Sequence, residues 1–202
     1  MTWIATVAYD DADERVRRLY DRVAGPGGNV DNIMTMQSLR PHTMEGHLAL
    51  YKNVLHHSAN TVPVWFLETL GVWVSSLNNC AYCVEHHYAG LRRLLGDDER
   101  CAALRQAITD GDIESAPLAG KQKLAMRYAE TLTLAPSTLT EQRVRQLREA
   151  GFSDGEILEI NQVCAYFAYA NRTVLGLGCS TDGDVLGLSP GTSDDPADWQ
   201  HS

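Results

Sequence analysis

Apolar residues recur every three or four positions along most of the chain, the spacing of one buried face of an α-helix. Val16, Leu19, Tyr20 and Val23 predict a helix over about 12–24, stopped by Gly25-Pro26-Gly27-Gly28. Met44, Leu48, Tyr51 and Leu55 predict another over 42–57, after Pro41. Pro63 suits a first helical turn, and Val64, Leu67, Gly71 and Val74 form a stripe over 64–78. Further helices are expected over 80–95, ended by Gly96, over 97–109 before Asp110-Gly111, and over 119–134 before Pro136. Thr138 with Glu141, and Ser153 with Glu156, have the hydroxyl-to-carboxylate spacing of a capping box. The second opens a helix over 154–175 with Ile157, Ile160, Cys164, Phe167, Asn171 and Val174 on one face. No alternating strand pattern extends beyond a few residues, so the expected fold is an all-α helical bundle. One domain spans 1–180. From 181 to 202 the chain turns acidic and rich in Gly, Ser and Pro, and reads as an extended tail.

Composition narrows the function. A chain of 202 residues can bury a core without a disulfide or metal staple. The net charge of −9, with no basic run, argues against nucleic acid or an anionic membrane as partner. No apolar run is long enough to span a bilayer, and the N-terminal residues lack the pattern of a secretion signal. The expected location is therefore the cytoplasm. In a reducing compartment the five cysteines (Cys80, Cys83, Cys101, Cys164 and Cys179) do not suggest a structural disulfide framework.

The chemistry concentrates in Cys80-Ala81-Tyr82-Cys83-Val84-Glu85-His86-His87. At about 100° per residue, Cys80 and His87 lie about 60° and 40° from Cys83 on the same side, whereas His86 points about 120° from Cys80. Thiols at i and i+3 are close enough for a disulfide, and a cysteine in a first helical turn gains thiolate character from the dipole and unpaired amides. Asn78 or Asn79 would cap that helix. His87 is placed to take the thiol proton. Glu68, in the apolar stretch around Trp65, Phe66 and Trp73, would complete the relay as a buried carboxyl with a raised pKa. A zinc site would need a second pair of ligands, but Cys164 and Cys179 are fifteen residues apart and His56-His57 lacks helical i, i+4 spacing. Cys101, Cys164 and Cys179 read as packing residues, as does the aromatic run from Tyr166 to Tyr169. No cofactor and no metal is called for.

Glu68, then Cys80-Ala81-Tyr82-Cys83 twelve residues on, then His87, resembles the alkylhydroperoxidase D-like branch of the carboxymuconolactone decarboxylase superfamily, in particular its peroxidase-related subgroup. The segment from Ala150 to Glu159 and the pair Asn171-Arg172 extend the likeness, which covers roughly 30–178. The resemblance implies an all-helical subunit forming homo-trimers or hexamers, and reduction of a hydroperoxide by the cysteine pair. It gives Cys83 the peroxidatic role, Cys80 the resolving role, and Glu68 and His87 the proton relay. The family's reductant is a dihydrolipoyl carrier. Where the family carries a histidine before the second cysteine this chain has Tyr82, so one proton carrier of the pattern is missing.

Three other readings compete. A carboxymuconolactone decarboxylase-like enzyme would leave the thiol pair without a task. A redox sensor or helical assembly protein would oxidise once without cycling. A metal protein would carry stoichiometric zinc. The apolar side chains Trp65, Phe66, Trp73 and Tyr82 suggest an organic hydroperoxide as substrate.

Overall fold

The computed structural model describes residues 2–195 and 197–199. Its secondary structure is helical: α1 (Glu14–Val23), α2 (Asn32–Thr35), α3 (Pro41–Leu55), α4 (Val64–Leu77), α5 (Ala81–Leu95), α6 (Asp98–Asp110), α7 (Gly120–Leu134), α8 (Glu141–Glu149) and α9 (Asp154–Leu177). Among the described residues the β-type pairing is a single isolated bridge, His57 with Ser193. The periodic segments are helices within two or three residues of the expected ends. The short α2, which has too few residues to show a period, was not expected. Among the described residues, no helix is long and apolar enough to cross a membrane.

Helix α4 is the hub and packs against α5, α7 and α9. All ten residues from Phe66 to Ser75 are buried, so its apolar stretch is a core helix rather than an amphipathic one. It approaches α9 closely at Gly71, where a Cβ would sit 2.2 Å from the Phe167 ring. The predicted face of α9, Ile157 through Val174, is buried throughout. The Ser153–Glu156 capping box forms as expected, with Glu156 N–H on Ser153 Oγ at 3.2 Å and Ser153 N–H on Glu156 at 2.7 Å. The box expected at Thr138 does not form. Its hydroxyl donates to the Ala135 carbonyl at 2.8 Å within a 3₁₀ turn, and α8 starts later, behind Thr140.

A tight corner joins α4 to α5. Asn79 adopts φ +55°, which only a few residue types tolerate, and Asn78 donates to Asn171 of α9 at 2.9 Å. Neither asparagine side chain caps α5; the N-cap residue is Cys80 itself. The segment after α9 contains no helix and runs back across the bundle. Gly187 lies against α5, where a Cβ would come within 2.8 Å of the Gly90 nitrogen. The buried Lys52 donates to the Gly191 carbonyl, and Ser193 exchanges backbone hydrogen bonds with His56 and Ser58.

Candidate active site

The α4–α5 corner sets Glu68 opposite the first two turns of α5. His87 Nδ1 lies 2.7 Å from Glu68 Oε2, and Glu68 is 2% exposed. On the other oxygen, His56 Nε2 stands 3.6 Å away and also contacts the Tyr51 hydroxyl at 3.1 Å. Burial pushes the Glu68 carboxyl up, but the charge and hydrogen bond of His87, helped by His56 and Arg93, outweigh it and hold the group below the ordinary carboxylate range. The expected raised pKa is thus corrected: an imidazole at hydrogen-bond distance reverses the effect of burial. An ionised carboxylate only accepts, so His87 donates from Nδ1 and keeps Nε2 as its basic atom.

Cys80 and Cys83 are both free thiols, 0% and 2% exposed. The Cys83 thiol donates to the Cys80 sulfur. Burial opposes this, but the Cys83 amide, the Asn171 side chain and the His87 charge add to it, bringing Cys80 down to about 7. The same hydrogen bond, with burial, holds Cys83 well above the ordinary thiol range. The N-cap position explains the asymmetry, because the amides of the first turn point at the residue that precedes it. Asn171 is itself held by Ser75 at 3.0 Å.

Cys83, Glu68 and His87 line one cavity of about 60 Å³, room for a few waters. Its walls include His47, Tyr51, Tyr82, His86, Tyr166 and Trp199. Of the four aromatic residues expected around the site, Tyr82 alone reaches it. Phe66 and Trp73 are buried in the core, and Trp65 sits beneath the Arg100 guanidinium at 4.6 Å. Burial lowers both His47 and His56 to about 4, so both stay neutral near pH 7. His47 Nδ1 and Trp199 Nε1 are buried without a partner among the described residues.

Several of these residues were not read from the sequence. His86 does point away from Cys80, yet it lines the same cavity from the other side of Cys83. Its Nε2 lies 3.1 Å from Asp184 Oδ2, and its Nδ1 faces Asp31 at 3.9 Å. Asp184 also accepts from the Tyr82 hydroxyl at 2.7 Å and the Asn32 amide at 3.0 Å. Asp31, His86 and Asp184 bring ligand atoms within 4.8 Å of one another. The donors already seated on Asp184 make it a hydrogen-bond hub first, and a cation ligand only after those bonds are given up. Cys179 packs beside Cys80, Cys83 and Val174, with its thiol pushed up to about 12 chiefly by burial.

A buried Glu–His pair in a small cavity opposite two thiols in the first turn of one helix of an all-α bundle is matched among solved structures. The alkylhydroperoxidase D core of a peroxidase-related protein from Ralstonia eutropha JMP134 superposes with a TM-score of 0.78 at 21% identity, over 89% of this chain and 92% of that one. The chain has the alkylhydroperoxidase D-like fold. A peroxidase-related protein from Silicibacter sp. TM1040 gives a TM-score of 0.77 at 24% identity, over 89% and 91% of the two chains. The debrominase Bmp8, solved with 2,3,4-tribromopyrrole, also has the alkylhydroperoxidase D-like fold, with a TM-score of 0.71 at 15% identity over 90% and 92%. No protein-family model and no curated protein matches the sequence.

Proposed function

We propose that the chain is a dithiol hydroperoxidase, in which Cys83 reduces the peroxide, Cys80 resolves it, and Glu68 and His87 manage the dithiol proton. The observation that carries this reading is Glu68–His87 at 2.7 Å in the cavity onto which Cys83 opens, with Cys80 poised near neutrality behind it.

The dithiol loses one proton, to His87 Nε2, whose other nitrogen is anchored on Glu68. The remaining proton is shared between the sulfurs and rests on Cys83. Its transfer to Cys80 along the hydrogen bond turns Cys83 into a thiolate facing the cavity. That thiolate attacks the distal peroxide oxygen: the S–O bond forms, the O–O bond breaks, and the departing oxide takes a proton. Cys83 is now a sulfenic acid. Cys80 attacks it, forming S–S and breaking S–O, and its proton leaves with the hydroxide as water. Two thiols have become a disulfide, and the hydroperoxide has become an alcohol and water. An external dithiol, such as a dihydrolipoyl carrier, restores the pair by exchange. A homo-trimer or hexamer belongs to the same reading, and Leu39, Tyr169 and Leu175 are each more than a third exposed.

The cavity also bears on the substrate. Room for a few waters suits hydrogen peroxide or a short alkyl hydroperoxide, and is too small for a tribrominated ring as it stands. The test is turnover. With dihydrolipoamide in excess, one protein molecule is expected to consume many equivalents of hydrogen peroxide. Consumption that stops at one equivalent would instead mean a sensor.

A further inference from the structure

The reading above uses one of the two imidazoles that face the cavity. On the helical projection of α5, His87 lies about 40° from Cys83 on the side of Cys80, and His86 lies about 60° away on the opposite side. Cys83 therefore sits between two histidines, each anchored through one nitrogen to a buried carboxylate: His87 on Glu68 at 2.7 Å, His86 on Asp184 at 3.1 Å. The second anchor is built from distant parts of the chain. Asp184, with a side chain 2% exposed, comes from the segment after α9. It collects the Tyr82 hydroxyl at 2.7 Å and the Asn32 amide at 3.0 Å. Tyr82 also stacks on the His86 ring, with centroids 4.5 Å apart and 32° between planes. Burial and Asp184 both raise the Tyr82 hydroxyl well above its ordinary value, so it remains a donor and not a base.

We propose that His86 is the group that protonates the departing oxygen of the peroxide, and that Asp184 is the positioning residue that holds it there. The proposal rests on the dithiol hydroperoxidase reading and gives the second proton of that reaction its carrier. Attack on an O–O bond is in line, so the departing oxygen lies beyond the distal oxygen, away from the Cys83 sulfur. Cys80 and His87 occupy one flank of that sulfur, and His86 faces the cavity from the other. Because Nε2 donates to Asp184, the nitrogen left for the cavity is Nδ1, on the side of Asp31. Nδ1 takes up a proton from cavity water and passes it to the oxide. His87 has meanwhile gained the one the dithiol lost, and the two imidazoles re-equilibrate through water, so no net proton is consumed. Tyr82, which stands where the resembled family has a histidine, thus serves to orient His86 through ring stacking and a shared carboxylate.

Oxidants with different leaving groups test the assignment. Hydrogen peroxide expels hydroxide, which needs a proton, whereas peracetic acid expels acetate, which leaves unprotonated near neutral pH. H86Q is expected to slow the loss of two thiols to hydrogen peroxide by about 100-fold, and D184N by about 10-fold or more. Both should react with peracetic acid within about two-fold of the wild type. That second rate also shows that the variants have kept the dithiol site folded. D184E, which keeps the carboxylate, is expected to recover part of the hydrogen peroxide rate. Equal slowing with both oxidants, or an unchanged rate with hydrogen peroxide, overturns the assignment. A wild-type protein that keeps both thiols against either oxidant overturns the hydroperoxidase reading, and this inference with it.

Discussion

Protons decide the chemistry residue by residue, and in this cavity burial alone does not predict where they sit. Glu68 is as buried as His47, but it has an imidazole on each oxygen and stays ionised, whereas His47 and His56 are stripped of water and stay neutral. The consequence for stability has a definite sign. A histidine whose pKa drops from the model value of 6.5 to about 4 on folding contributes stability that is complete above 6.5 and lost as the pH falls towards 4. For two such residues the ceiling is roughly 3 kcal/mol each. Glu68, also depressed, adds a loss of the same sign lower on the acid side. Thermal unfolding followed from pH 7 to pH 4 should show Tm falling by about 10 °C or more. The fall should begin near pH 6, above the range in which exposed carboxylates titrate. A Tm that holds down to pH 5 would contradict the neutral, buried state of His47 and His56.

Helices α4, α5 and α9 carry the site between them, and their spacing is set by small contacts. Gly71 lets Phe167 of α9 lie against α4, and the other side of that ring meets His87 edge-on, with centroids 4.6 Å apart. G71A would place a methyl inside the ring's radius and is expected to cost about 1–3 kcal/mol in urea unfolding. An unchanged midpoint would mean that α4 and α9 can separate freely. This level was also the most legible in the sequence. Periodicity located the long helices, and the i, i+3, i+7 spacing of Cys80, Cys83 and His87, with Glu68 one helix earlier, named the residues that the structure gathers around one cavity. His86 was passed over because its angle was taken from Cys80; measured from Cys83 it is as near as Cys80 itself. Asp184, Asp31, Tyr51 and Trp199 could not be read that way. Each reaches the site through tertiary contact from a segment whose local pattern says only turn, tail or core, and Asp184 stands about a hundred residues beyond His86.

Taken as a whole, the molecule folds its last segment back over the redox pair. Lys52, Ser58 and His56 hold that segment by its backbone. Trp199 lies against Tyr51 with ring centroids 5.9 Å apart, and Leu188 and Ser189 complete the cavity wall. The acidic tail that the composition suggests is thus part of the site, and it helps reduce the cavity to about 60 Å³. An enclosed dithiol of this kind should form its disulfide quickly, since a sulfenic acid in a small cavity meets Cys80 before a second peroxide. The direct test of the dithiol account is a count of free thiols and an intact mass of the reduced protein after one equivalent of hydrogen peroxide, beside C83S and C80S. The account predicts a loss of two thiols and about 2 Da in the wild type, the mass of two hydrogens. It predicts no such change in C83S, and a trappable sulfenic acid only in C80S. If all five thiols survive in the wild type, the dithiol is not the reacting group and the account is wrong.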